Sequence, residues 1–116
     1  MTLQSAFSSV QNAIVFDVVI DDLSAENCSH GFCHAVHVAS SNNIVLNLAM
    51  CDVLTSADIK AIEEINNALE LLGKCVIVCG INPLCAAIIF TYVDDIHFTT
   101  ELDLNHALEA FSNDPR

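Results

Sequence analysis

The densest chemistry in the chain lies in Cys28-Ser29-His30-Gly31-Phe32-Cys33-His34-Ala35-Val36-His37, where two thiols and three imidazoles fall within ten residues. On a helix, His30, His34 and His37, or Cys33 and His37, recur at spacings of three and four that share a face, and both groups are good ligands for zinc or haem iron. The run has no C-x-x-C pair, lacks the spacing of a zinc finger, and has no second ligand pair at an expected distance. A partly exposed helix with incidental histidines is the commoner meaning of such a run. Metal, haem or redox sensing through Cys28, His30, Cys33, His34 and His37 is therefore the rival reading, and no cofactor is expected.

The second constellation is Asp52-Val53-Leu54-Thr55-Ser56-Ala57-Asp58. Thr55 suits a helix N-cap, and Asp58 three residues on completes an acidic form of the capping box. Ser56 stands where a loop leaving a strand feeds a helix, a geometry that carries side chains to the rim of an α/β sheet. A phosphate there gains from the positive end of the helix dipole and from free backbone N–H groups, while adding about −1.5 to −2 units of charge beside Asp52 and Asp58. Taken alone, a Thr-Ser pair at such a place more often serves only as a cap.

Enzymatic chemistry finds little footing. Gly31, Gly73 and Gly80 are the only glycines, and there is no Gly-rich phosphate loop, no G-x-S-x-G elbow and no clustered acid/base pair in an obvious turn. A hydrolase pairing Ser56 with a histidine would need a proximity that the chain order does not provide. The protein is expected not to be an enzyme.

The elements that must position these residues follow from periodicity. Ala13–Ile20 is a β-branched run that stops at Asp21-Asp22 and reads as a buried strand, with a short strand before it near Leu3–Ser8. Ser24–Val38 suits a helix, although Gly31 in its interior weakens it by about 1 kcal/mol relative to alanine. Ser40–Asn43 is a loop, and Ile44–Leu48 is a strand of the kind covered on both faces. From Thr55-Ser56, the residues Ile59, Ile62, Ile65, Leu69 and Leu72 trace the apolar stripe of an amphipathic helix that Gly73 ends. Cys75–Cys79 is a second buried strand, whose cysteines read as core residues. Asn82 then caps a helix over Pro83–Tyr92 with proline at its first position. Ile96-His97-Phe98 forms one more short strand, Thr100 caps a final helix through Phe111, and Ser112–Arg116 is a frayed tail. This order predicts an α/β fold, a mixed, mainly parallel sheet of about five strands with about four helices.

Composition narrows the partners. A chain of 116 residues suits one domain spanning 1–116, and 53% hydrophobic residues supply a core. Fifteen acidic against three basic residues give a net charge of −12, which repels nucleic acid and anionic lipid and favours a partner with a basic patch. The six cysteines accompany no secretory leader at Met1–Val10, so reduced thiols and a cytoplasmic location are expected. Cys75–Val93 carries no charge and is long enough to span a bilayer, yet Gly80-Ile81-Asn82-Pro83 splits it into two short buried elements, so no membrane is expected.

At this point the chain resembles the STAS-domain family of anti-sigma-factor antagonists, and within it the small scaffold subunits of bacterial stressosomes. That family carries a buried strand, a loop with an aspartate, a phosphorylatable Ser or Thr opening a helix, then Leu-Gly-Ala-Lys, a buried strand and Gly-Ile-x-Pro. The matching run is Ile44–Leu48, Asp52-Val53-Leu54-Thr55-Ser56, Leu72-Gly73-Lys74, Cys75–Cys79 and Gly80-Ile81-Asn82-Pro83, continuing through Ile96-His97-Phe98-Thr99, Leu102-Asp103-Leu104 and Ala107-Leu108. It covers roughly residues 13–111, most closely after Ile44. The chain has Thr55 where the family usually has an aspartate before the phosphorylated serine, and Tyr92-Val93 where it has a Leu-Gly turn.

The resemblance implies a STAS fold and a non-catalytic, phosphorylatable scaffold. In this account Ser56, or alternatively Thr55, accepts the phosphate, and Asp52, Thr55, Ser56 and Asp58 form the partner-binding surface. It further implies a serine/threonine switch kinase that binds the unphosphorylated protein and is released on phosphorylation, and co-assembly with larger STAS-containing sensor paralogues in a homo- or hetero-oligomer. The alternative within the family is an anti-sigma-factor antagonist acting outside any large assembly.

Overall fold

Ile14-Val15-Phe16, Ile44-Val45-Leu46 and Val76-Ile77-Val78 are apolar at consecutive positions, so each strand needs cover on both faces of its sheet. The computed structural model of the protein describes residues 6–10, 12–23, 28–37, 41–92 and 98–113, and it meets that need. The elements run β1 (Ala6–Val10), β2 (Ala13–Asp17), α1 (Ile20–Leu23), α2 (Cys28–His37), β3 (Asn43–Asn47), α3 (Ser56–Leu71), β4 (Cys75–Cys79), α4 (Pro83–Tyr92), β5 (Thr99–Glu101) and α5 (Leu104–Asn113). The five strands form one sheet in the order β1-β2-β3-β4-β5. β1 pairs antiparallel with β2, and all later neighbours are parallel, linked by helical crossovers. This is the mixed, mainly parallel sheet expected from the order of elements.

Alternation along the strands divides the core in two. Ile14, Phe16, Ile44, Leu46, Val76 and Val78 face α2 and α3, where they meet Phe32, Val36, Ile59, Ile62, Ile65 and Leu69. The Phe16 and Phe32 rings stand edge to face with centroids 5.1 Å apart. Ala13, Val15, Val45, Ile77 and Cys79 face the other way and are covered by Ala107 and Leu108 of α5. Each apolar side chain buried in the α3 stripe contributes on the order of 1.5–3 kcal/mol.

Local signals fix the helix ends. At the end of α3, Gly73 adopts φ +81° while its N–H donates to Glu70 O (2.9 Å) and the Lys74 N–H to Leu69 O (3.1 Å), a Schellman closure. At the start of α4 the Asn82 side-chain oxygen accepts the Leu84 N–H at 2.9 Å, with Pro83 as the first helical residue. Among the described residues, no helix is long and apolar enough to cross a membrane.

Several expected boundaries are corrected. β2 ends at Asp17 rather than Ile20, because the chain leaves the sheet there and turns into α1, the Asp22 N–H closing on Val19 O at 3.0 Å. The helix expected over Ser24–Val38 is α2, described from Cys28 to His37, and a short α1 that the periodicity did not give precedes it; residues 24–27 and 38 lie outside the described residues. Among the described residues the helices thus number five. The last strand is Thr99–Glu101, Phe98 serving as a buried anchor before it, while Ile96 and His97 lie outside the described residues. Thr100 is in that strand, and α5 is capped instead by Asp103, whose Oδ1 accepts the His106 N–H at 2.9 Å. α5 extends through Asn113, so the expected tail from Ser112 begins later than supposed, residues 114–116 lying outside the description. The first strand is described as Ala6–Val10, and residues 3–5 of the expected strand lie outside the described residues.

Candidate functional site

Parallel strands deliver their loops to one edge, and the β3–α3 loop that leads to Ser56 starts there. The loop is held from below by Leu48, Cys51 and Leu54, all buried, while Met50, Asp52 and Val53 between them are exposed. Hydrogen bonds close it on itself and tie it to the residue after β2 and to α4. The Cys51 N–H donates to Leu48 O at 2.9 Å, its thiol points at Val18 O (3.4 Å), and the Cys85 thiol of α4 points at Asp52 O (3.3 Å).

The loop finishes in the capping box read from sequence. Thr55 is extended at φ −90°, ψ 169°, its Oγ1 accepts the Asp58 N–H at 3.2 Å, and Asp58 Oδ2 accepts the Thr55 N–H at 2.9 Å. The Thr55 hydroxyl is thus committed to the helix end. Ser56 is the first residue of α3 and is exposed, and among the described residues its hydroxyl makes no hydrogen bond. At this position the backbone N–H groups of the first turn have no intrahelical acceptor and the helix dipole is positive. Of the residues singled out in the sequence, Asp52, Thr55 and Ser56 are exposed and Asp58 half-buried, so the structure gathers all four at one rim.

Around that rim lie side chains that periodicity did not flag. Met50 (68% exposed), Val53 (70%) and Leu102 (66%) project from the β3–α3 and β5–α5 connections, and Leu84 (73%) from the first turn of α4. Behind them, β2, β3, β4 and β5 end in register as a cross-strand row, Asp17↔Asn47↔Cys79↔Glu101. Burial, with the charges of Asp103, Asp17 and Glu101 added, pushes the Cys79 thiol up to about 12. Periodicity gave no signal for this row, since it ran two of the strands past Asp17 and Asn47; only the register shows that the four residues are neighbours.

Beyond the row, Asp103 Oδ1 lies 2.6 Å from His106 Nδ1 on the surface. The hydrogen bonds donated by the His106 backbone and ring hold the Asp103 carboxyl below its ordinary range, and the ring's bond to that carboxylate raises the His106 imidazole.

The cysteine–histidine run lies on α2, which packs beside α3 on one face of the sheet. Helical spacing turns Phe32 and Val36 fully inward, so His30, His34 and His37 are exposed, while Cys33 is half-buried against the core with its thiol raised by burial. Nothing is described of the Cys28 side chain. Among the described residues, no three His, Cys, Asp or Glu side chains come together as a group that would hold a metal ion. Cys79 is core, as expected, and Cys75 is half-buried.

No family model matches the chain, and no curated protein matches it by sequence. Solved structures do match its fold. A serine-to-glutamate variant of Moorella thermoacetica RsbS superposes with a TM-score of 0.76 at 20% identity, covering 95% of this chain and 96% of that one. A chain from the stressosome, described as a signal integration and transduction hub, gives a TM-score of 0.78 at 20% identity over 93% and 96%. The protein TM1081 gives 0.70 at 14% identity over 93% and 88%. The fold is therefore the RsbS-like STAS fold that the sequence resemblance implied.

Proposed function

We propose that this protein is a non-catalytic scaffold switched by phosphorylation at Ser56. The observation that carries the reading is the exposed Ser56 hydroxyl on the first turn of α3, held outward by the Thr55–Asp58 capping box. A serine/threonine switch kinase docks on the rim formed by Asp52, Thr55, Ser56 and Asp58, with Met50, Val53, Leu84 and Leu102 supplying apolar contact. The kinase brings ATP and catalysis, and the domain brings the hydroxyl. The added phosphate places about −1.5 to −2 units of charge in an already acidic rim and weakens the hold on the kinase. Ser56 is favoured over Thr55 as acceptor because phosphorylating Thr55 would break the cap it makes.

The likeness to RsbS and to a stressosome chain supports a place in a stressosome-type assembly with larger STAS-containing paralogues, in the cytoplasm. An anti-sigma-factor antagonist working outside such an assembly is the nearest alternative, and sizing chromatography with the paralogues separates the two. The deciding experiment is phosphopeptide mapping after incubation with a switch kinase of the same organism and ATP. One phosphate on Ser56, absent in Ser56→Ala and retained in Thr55→Val, is the expected result; equal labelling of Ser56→Ala would sink the assignment. Stoichiometric metal or a haem band in the purified protein would instead favour sensing through Cys28, Cys33 and the nearby histidines.

A further inference from the structure

Three chain segments converge on one side-chain amide. Asn47, the last residue of β3, donates from Nδ2 to Asp17 Oδ1 at 3.2 Å, and its Oδ1 accepts the Ala49 N–H at 3.1 Å and faces the Cys79 thiol at 3.8 Å. The backbone repeats the same joins, with Val18 N–H to Asn47 O at 2.9 Å and Leu48 N–H to Cys79 O at 2.8 Å. Gly80 makes room for this arrangement: a Cβ there would stand 2.8 Å from Asn47 Oδ1 and 2.9 Å from the Ala49 nitrogen. Only a side chain that both donates and accepts serves the site, because the Asp17 carboxylate accepts and the Ala49 N–H donates. The carboxylate also fixes which way the amide faces.

Ala49 is the first exposed residue of the loop that leads to Ser56. We propose that Asn47 is the positioning residue of that loop, holding its first peptide against the ends of β2 and β4 so that the Ser56 hydroxyl is presented in one place. Asn47 touches neither Ser56 nor any partner in this account; it acts through Ala49 and the residues that follow. The functional half of the proposal rests on Ser56 being the phosphoacceptor, whereas the ordering of the loop does not.

The test exchanges the two partners. Asn47→Asp places two carboxylates where the bridge stands and removes the donor. The double variant Asn47→Asp with Asp17→Asn puts the donor on the other strand and rebuilds the bridge with its roles reversed. In Asn47→Asp, amide hydrogen exchange across residues 49–55 is expected to accelerate about tenfold, the factor implied by losing one net hydrogen bond of local stability. Exchange in the centre of α3 should be unchanged, and the double variant should restore the loop. With the switch kinase, KM for the protein substrate should rise severalfold in Asn47→Asp, with kcat little altered, and return in the double variant.

Wild-type exchange in Asn47→Asp, failure of the double variant to restore it, or equal acceleration throughout α3 would overturn the positioning role. So would a loosened loop with unaltered phosphorylation kinetics, which would leave the Ser56 assignment standing. If wild-type Ser56 takes no phosphate at all, the Ser56 assignment fails, and the exchange data alone decide the ordering of the loop.

Discussion

Thr55 and Asp58 each hydrogen-bond the other's backbone N–H, at 3.2 and 2.9 Å, and close the first turn of α3 around Ser56. Two adjacent hydroxyls thereby acquire different work: one holds the helix end and the other stands free on it.

Thr55→Ala is expected to destabilise the protein by about 1 kcal/mol, a fall in Tm of roughly 3–8 °C for a domain of this size. Ser56→Ala, which removes an exposed hydroxyl, should stay within about 0.5 kcal/mol of wild type. Thermal unfolding of the two variants side by side checks the division of labour; equal losses would contradict it.

Gly73 and Gly80 both sit at positive φ, yet their surroundings differ. A Cβ on Gly73 meets nothing within 4 Å, so Gly73→Ala should cost only the left-handed backbone penalty, about 1–2 kcal/mol. Gly80→Ala adds a clash with Asn47 Oδ1 and the Ala49 backbone and should cost clearly more, by at least about 1 kcal/mol beyond Gly73→Ala. Urea unfolding of both variants measures the difference, and a Gly80→Ala protein as stable as Gly73→Ala would show that the Asn47 side chain moves aside freely.

The thiols should react in an order set by burial. Cys79 and Cys51 are 0% and 2% exposed, with both thiols pushed up by burial, so alkylation should reach them only on unfolding. Half-buried Cys85 and Cys75 should label in the native protein. Peptide mass spectrometry after brief iodoacetamide treatment reads this directly, and early labelling of Cys79 would argue against the closed row at the sheet edge.

The Asp103–His106 pair predicts a pH window. His106 is raised above its ordinary 6.5, first by the hydrogen bond its ring donates to Asp103 and then by the charges of Asp103, Glu109 and Glu101, so its contribution is full below 6.5 and lost as pH rises through the folded value. Asp103 is lowered from 3.8, so its contribution is present above 3.8 and lost as pH falls through the folded value. The pair therefore steadies the start of α5 most between those limits. An NMR titration of the His106 ring should give a midpoint above 6.5 that moves down in Asp103→Asn; a midpoint at or below 6.5 in the wild type would refute the pairing.

The long, strongly patterned elements were legible in the chain. The α3 stripe with its cap and glycine stop, the Cys75–Cys79 strand, and the Asn82-Pro83 start of α4 all stand where periodicity and capping chemistry put them. Where the reading slipped, a tertiary contact outweighed local preference. Val18-Val19-Ile20 has strand propensity, but the Val18 N–H bonds Asn47 O as the chain peels away from the sheet, and Ile20 opens a helical turn. Thr100 and Asp103 are both good caps, and pairing of Thr99–Glu101 with β4 takes Thr100 into the sheet and leaves the cap to Asp103.

By itself the sequence determined the identity of the longer elements, the amphipathic face of α3 and the capping box beside Ser56, because each depends on residues within a few positions of one another. Only the tertiary structure decided that Asp17, Asn47, Cys79 and Glu101 are neighbours. It also decided that exposed apolar side chains of two loops and of the first turn of α4 share the rim with Ser56, and that the imidazoles of the cysteine–histidine helix face outward while Phe32 and Val36 fill the core. Those relations arise from strand register and crossover, which bring together residues far apart in the chain through a parallel ladder whose alignment is set by packing on both faces of the sheet and not by local sequence.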